Sequence, residues 1–199
     1  MAGQMILALA LLLATPDASA AAPVALRLEQ AKAARKAGEG ERALELLKPL
    51  ADAGNPEALG LLAALYRNGE GVKADPAAAM RLFIQAAGKG YAPALTGIGA
   101  LYENGEGVAK DPAKAVAYYR QAAAKGVADA YHYLAYDYYA GTGVPVDYRE
   151  SVKWSRKGAA AGSAGAMHML GIAYDEGKGV AENDAEAAPP VPPLRRPRL

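Results

Sequence analysis

Two histidines are the side chains best suited to bind a metal ion or to act as a general base. His132 and His168 are 36 residues apart, and Tyr136, Asp137 and Asp175 are the nearby residues that could add oxygen ligands. If the histidines occupy equivalent positions on adjacent packed helices, roughly 10 Å separates them, because helix axes pack at about that distance. One ion does not bridge such a gap without help, so we predict no metal site and no cofactor.

The sequence also lacks the residues that other catalytic sites and nucleotide-binding sites need. The sequence contains no Cys, so it forms neither a disulfide nor a thiolate metal site. Gly-Glu-Gly-Val occurs at 69–72 and 105–108, but without the Gly-Lys-Ser/Thr ending of a phosphate-binding loop. The net charge of +1 gives no general attraction to nucleic acid. We therefore predict neither an enzyme nor a nucleic-acid-binding protein.

The elements that must position these side chains recur with a period of 36 residues. Residues 55–90 and 91–126 are identical at 19 of 36 positions, which coincidence does not explain. The positions that keep this spacing include Gly54, Gly90, Gly126 and Gly162, and Tyr66, Tyr102, Tyr138 and Tyr174. The period indicates a chain built from helical repeats.

Each unit has the pattern of two helices. Over 56–68, apolar residues follow the i, i+3, i+4, i+7 spacing of one helix face, and Gly69 ends that helix. Asp75 and Pro76 then match an N-cap followed by proline at the first helical position, where a second helix begins.

This pattern resembles the Sel-one-like repeat (SLR) family, a relative of the tetratricopeptide repeats. The first unit carries the motif at Ala58, Leu62, Ala63, Tyr66, Gly69, Gly71, Val72, Asp75, Ala79, Ala86, Ala87 and Gly90. The resemblance implies an all-α fold, a right-handed superhelical solenoid of antiparallel helix pairs. It also implies an adaptor role, since members of the family act mostly in protein complexes.

The register of the motif divides the chain into seven segments. We predict a signal peptide at 1–20 and a tetratricopeptide-like capping helix pair at 21–54. Repeats 1 to 3 follow at 55–90, 91–126 and 127–162, with an incomplete fourth repeat at 163–188. Residues 189–199 form a Pro/Arg-rich tail that we expect to be disordered.

The first segment has the features of an export signal. Its apolar stretch, 5–14, is shorter than the roughly 20 residues that span a bilayer, and Ala18-Ser19-Ala20 has the form of a signal peptidase site. We expect cleavage before Ala21, a periplasmic or secreted location and no integral membrane association afterwards. A retained membrane anchor is the alternative.

The fourth repeat stops after its first helix. The missing second helix leads us to expect exposed apolar residues at Met169, Leu170, Ile172 and Ala173. We expect a monomer, with association through this incomplete repeat as the alternative. The abrupt change of composition after Ala187 suggests a frameshift or truncation. The tail that follows is either a solvated end or an Arg- and Pro-containing ligand for a partner or an anionic surface.

First helices line the inner surface of tetratricopeptide arrays, which by analogy identifies a partner-binding surface. The predicted partner-binding residues are Arg67, Glu103, His132, Tyr136, Tyr139, His168 and Asp175. The same surface positions in the repeats also hold Gly60, Ala64, Thr96, Ala100 and Ile172. Tyrosine and histidine suit recognition because they present flat, partly apolar surface with a polar tip. Alternatively, the tyrosines of repeat 3 fill gaps between Ala-rich helices. Tyr138 falls at a core position in either case.

These observations favour an exported helical-repeat adaptor that binds a protein or peptide on its concave face. The alternative is a cell-wall (peptidoglycan) binding or hydrolytic protein of the β-lactamase-like SLR type, but those relatives rely on Cys pairs that are absent here. A purely structural spacer is a third reading.

Overall fold

A computed structural model describes residues 23–180, and every regular element within that range is an α-helix. The nine helices of that range are α1 (Val24–Lys36), α2 (Gly40–Asp52), α3 (Pro56–Asn68), α4 (Pro76–Gly88), α5 (Pro93–Asn104), α6 (Pro112–Ala124), α7 (Ala128–Ala140), α8 (Tyr148–Ala160) and α9 (Ala164–Glu176). The predicted signal peptide and tail lie outside the described residues.

The chain divides into two compact units, and the boundary along the chain lies between Ala94 and Leu95. In the first unit, α1 packs on α2, α2 on α3 and α3 on α4. In the second unit, α6 packs on α7, α8 contacts both α7 and α9, and α9 also contacts α7. The all-α fold of consecutively packed helices that the sequence predicts is therefore confirmed.

Helix ends lie where the capping residues predict them. Each second helix of repeats 1 to 3 is capped by an aspartate side chain, which accepts a hydrogen bond from the backbone amide three residues later. The distances are 2.8, 3.0 and 3.0 Å for Asp75, Asp111 and Asp147. These bonds satisfy amide donors that have no partner within their own helix. At the other end, Gly69 closes α3 with φ +72°, a left-handed conformation that glycine adopts at little cost.

The core of the second unit differs from the expected one at two tyrosines. Tyr138 is only half-buried, because its hydroxyl reaches out to accept a 2.6 Å hydrogen bond from Arg120 Nη2. Tyr119, on α6, is instead completely buried. Its ring lies directly over Gly99, where even a Cβ atom would be 2.5 Å from the ring. The assignment of Tyr138 to the core is therefore wrong, and Tyr119 fills that role.

At Gly71, Gly143 and Gly179, the second glycine of the loop after a first helix packs on the preceding helix pair. A Cβ on Gly71 would overlap the backbone of Gly40 and Glu41 at the start of α2, and the same holds for Gly143 over α6. Gly179 lies in the same way on Tyr148 at the start of α8. These loops therefore fix the spacing of repeats through contact between backbones.

The last described helix is covered more fully than the sequence predicts. Met169, Leu170 and Ala173 are buried and Ile172 is half-buried, because α9 packs against both α7 and α8. The expectation of an exposed apolar surface there is wrong for the three buried residues. No helix within residues 23–180 is long and apolar enough to cross a membrane.

Candidate partner-binding site

The structure places the predicted site residues on first helices, with very different exposure. Tyr136, His168 and Asp175 are exposed, whereas Arg67, Glu103, His132 and Tyr139 are half-buried. Arg67 belongs to α3 of the first unit, and the other six lie on α5, α7 and α9 of the second. Of the other positions that the analogy assigns to the surface, Gly60 and Ala100 are buried, and Ala64, Thr96 and Ile172 are half-buried.

Tyr136 is the exposed aromatic residue of α7. Its side chain is 45% exposed, which is unusual for a large apolar residue in this chain. Among the described residues, only Val24, Ile84 and Val146 are comparable large hydrophobic residues, and none of them is aromatic. Exposed tyrosines of this kind supply much of the binding energy at protein interfaces.

Tyr139, one turn further along α7, already has partners within the chain. Its hydroxyl donates a 2.5 Å hydrogen bond to Glu176 Oε2 on α9, and Lys178 Nζ lies 3.1 Å from the same carboxylate oxygen. Lys178 Nζ also lies over the rings of Tyr139 and Tyr148, at 5.2 and 5.0 Å. The hydrogen bond to Glu176 raises the pKa of the Tyr139 hydroxyl. This cluster joins α7 to the loop after α9, so Tyr139 is a less available anchor than Tyr136.

The two histidines are not brought together as metal ligands. The His132 ring lies against Gly165 of α9, where a Cβ would be 2.6 Å from the ring, while His168 is exposed. Within residues 23–180, no group of three His, Asp or Glu side chains is arranged to hold a metal ion. His132 instead lies on the side of α7 that packs against α9.

Sequence reasoning missed a buried polar cluster between α5, α6 and α7. Tyr119 Oη donates a 2.6 Å hydrogen bond to Glu103 Oε2, and the Tyr133 ring stacks on Tyr119 with 4.7 Å between centroids. Asp137 is 1% exposed, and neither of its carboxylate oxygens has a hydrogen-bond partner among the described residues. Burial, and secondly the negative charge of Glu103, raises the pKa of Asp137 to about 8.

The 36-residue period held the signal for this cluster. Asp137 occupies the position of Leu65 and Leu101, which are both fully buried. A carboxylate at a position that is otherwise leucine is unexpected in a core, because burying an unpaired charge is costly. Comparing the repeats at each core position would therefore have singled out Asp137.

Charge is segregated between the first and second helices of the second unit. Neither Lys nor Arg occurs in α5, α7 or α9. The Lys and Arg residues of the helices in this unit all lie on α6 and α8. Asp129 on α7 and Asp175 on α9 are exposed, and neither forms an ion pair within the described range. The first helices of this unit therefore present aromatic and acidic side chains and no Lys or Arg.

Comparison with known proteins identifies the family. The Sel1 repeat model matches residues 56–91, 92–127, 128–163 and 164–188. The chain belongs to the Sel1 repeat family. A search of curated proteins finds no significant match.

Two solved Sel1-type structures are similar to this chain. One is c5321, a protective antigen present in uropathogenic Escherichia coli strains, with 43% identity over 69% of this chain and a TM-score of 0.62. The other is a Sel1 repeat protein from Oxalobacter formigenes, with 33% identity over 78% of this chain and a TM-score of 0.63. The match spans 30% of the length of the first protein and 65% of the second.

Proposed function

We propose that this Sel1 repeat protein is an exported adaptor that binds a protein or peptide partner through the first helices of its second unit. The proposal assigns the main anchor to Tyr136 on α7. His168 and Asp175 on α9 form the adjoining polar part of the surface, and no catalytic role is assigned to them. Sel1 repeats are typical of proteins that act in protein interactions, which supports this class of function.

The exposure of Tyr136 is the observation that carries the proposal. An aromatic side chain that is 45% exposed on a helix leaves apolar surface in water, and Tyr136 is the only aromatic residue among the exposed large hydrophobic residues of the described range. A tyrosine also loses little rotamer freedom when a partner covers it, and its hydroxyl can hydrogen-bond. Both properties favour a protein contact over a purely structural role.

Export is the second part of the proposal and rests on the sequence of residues 1–20. A protein recovered from a periplasmic or secreted fraction with Ala21 as its first residue would support it. An intact Met1 on a membrane-bound protein would contradict it, because that would mean that the apolar segment is retained as an anchor.

Affinity capture with matched variants tests the partner-binding part. The bait is the full chain, compared with Tyr136→Ala and with Ile84→Ala, which changes an apolar residue that is 53% exposed on a second helix, α4. We expect one protein to be captured by the wild type and by Ile84→Ala, and at least tenfold less by Tyr136→Ala. A loss of that size corresponds to about 1.4 kcal/mol, which is usual for an interface anchor.

Three outcomes would contradict this assignment. Equal capture by all three baits would mean that Tyr136 is not an anchor. Recovery of glycan fragments instead of a protein would favour cell-wall binding, and recovery of nothing would favour a spacer. Circular dichroism of the variants shows whether a loss of capture comes from unfolding.

A further inference from the structure

We propose that the C-terminal segment 189–199 of this chain binds in cis to the same first-helix surface. We define that surface by its exposed residues, Asp129 and Tyr136 on α7 and His168 and Asp175 on α9. The inference rests on the proposed function, because it assigns a competing occupant to the site proposed there. The tail then acts as an internal ligand that a partner must displace.

The four residues form one continuous surface. Asp129 and Tyr136 are seven residues apart on α7, and His168 and Asp175 are seven apart on α9, so each pair lies on one side of its helix. The two helices pack against each other, and the His132 ring on the same side of α7 contacts Gly165 of α9. A single extended segment can therefore contact both pairs.

Charge complementarity points to the tail as the occupant. The tail carries Arg195, Arg196 and Arg198 and no acidic residue. The surface offers Asp129 and Asp175, which have no ion-pair partner among the described residues, and no Lys or Arg on either helix competes for them. Guanidinium groups bind carboxylates through paired hydrogen bonds, which would satisfy both aspartates.

The prolines of the tail fit the aromatic part of the surface. The segment reads PPVPPLRRPRL, which favours an extended polyproline II conformation with little entropy left to lose on binding. Proline-rich segments of this type dock on exposed aromatic rings, and arginine also stacks on them. Tyr136 provides such a ring on the same side of α7 as Asp129.

The tail is long enough to reach the surface. Arg195 follows Val180, the last described residue, by 15 residues, which extend to at most about 50 Å. The helix α9 has 13 residues, about 20 Å in length. The tail can therefore turn back along α9 and cross to α7. A tethered ligand acts at a high effective concentration, so even weak contacts hold it in place.

Photo-crosslinking of the purified full chain tests this placement. The photoreactive p-benzoylphenylalanine replaces Tyr136 in one sample and Ile84 in a control, and mass spectrometry locates the products. We expect crosslinks from position 136 to residues 189–199 within one molecule, and none from position 84. The triple variant Arg195→Ala, Arg196→Ala, Arg198→Ala should lose most of this product, as should wild type in high salt.

The absence of a tail crosslink from position 136 would overturn the proposal, as would crosslinks found only between two copies. A second measurement covers the case in which the photoreactive group disturbs binding. A fluorescent peptide of residues 189–199 should bind the triple variant, and Tyr136→Ala in that background should weaken binding about tenfold. Undetectable binding at peptide concentrations on the order of millimolar, which match the effective concentration of a tethered segment, would overturn the proposal. If an external partner is still captured through Tyr136, the proposed function stands without the tail.

Discussion

Asp137 shows how a single residue sets an observable property of this fold. In the folded chain its pKa is raised to about 8 by burial and by Glu103, whereas in the unfolded chain it is close to the ordinary value of 3.8. Between these values the folded state binds a proton that the unfolded state has lost. The stability that depends on this proton is fully present below pH 4 and is lost as the pH rises to about 8.

We expect Asp137→Leu to remove this dependence on pH. The free energy of unfolding of the wild type should fall by on the order of 2 to 4 kcal/mol between pH 5 and pH 8, and that of the variant should change much less. Leucine is the residue that repeats 1 and 2 have at this position, so the variant should fold. Urea denaturation at several pH values measures the effect.

The matched control for this prediction is Asp129→Asn, which changes an exposed aspartate on the same helix. In this variant the free energy of unfolding should fall with pH as steeply as it does in the wild type. If the free energy of unfolding of Asp137→Leu falls with pH as steeply as that of the wild type, the prediction is wrong. Another group would then cause the pH dependence, and the buried carboxylate would be ionised in the folded chain.

A second prediction concerns the contributions of Tyr119 and Tyr138 to stability, which the repeat spacing alone does not distinguish. Tyr119→Ala should lower the free energy of unfolding by about 3 to 5 kcal/mol, since it empties a fully buried position. Tyr138→Ala should cost less, roughly 1 to 2 kcal/mol, because the half-buried ring mainly loses its hydrogen bond with Arg120. Thermal and urea unfolding check the order, and a larger loss at Tyr138 would contradict it.

The interhelical loops are the elements that set how repeats follow one another. Gly69 and Gly71 have nearly the same positive φ, +72° and +70°. A Cβ on Gly69 would only meet Ala74 at 3.4 Å, whereas on Gly71 it would overlap the backbone of α2. The first glycine therefore allows the left-handed conformation of the loop. The second allows that conformation and also the close contact between the loop and the preceding helix pair.

We expect Gly71→Ala to be far more destabilising than Gly69→Ala. The left-handed conformation costs both variants roughly 1 to 2 kcal/mol, and Gly71→Ala must also separate α2 from the loop. Urea denaturation gives the difference, and hydrogen exchange should show faster exchange at the start of α2 only in Gly71→Ala. Equal losses in the two variants would mean that the backbone contact contributes nothing.

At the scale of the whole molecule, the period predicted much of the architecture and little of the site. Helix ends followed from Asp75 and Gly69 because capping depends on local chemistry. Exposure did not follow, because it depends on how neighbouring helices cover each side chain. Tyr136 and Tyr139 both fit a binding surface by sequence, yet the structure leaves Tyr136 exposed and gives Tyr139 the partners Glu176, at the end of α9, and Lys178, just after it.

Footprinting of the surface with a bound partner is the most direct test of the central claim, that the first helices of the second unit bind a protein. The full chain with the three tail arginines changed to alanine is labelled by hydroxyl radicals, alone and with the captured partner. We expect at least twofold protection of Tyr136 and of His168 by the partner, with Ile84 labelled equally in both samples. Protection of Ile84 with no change at Tyr136 would contradict it.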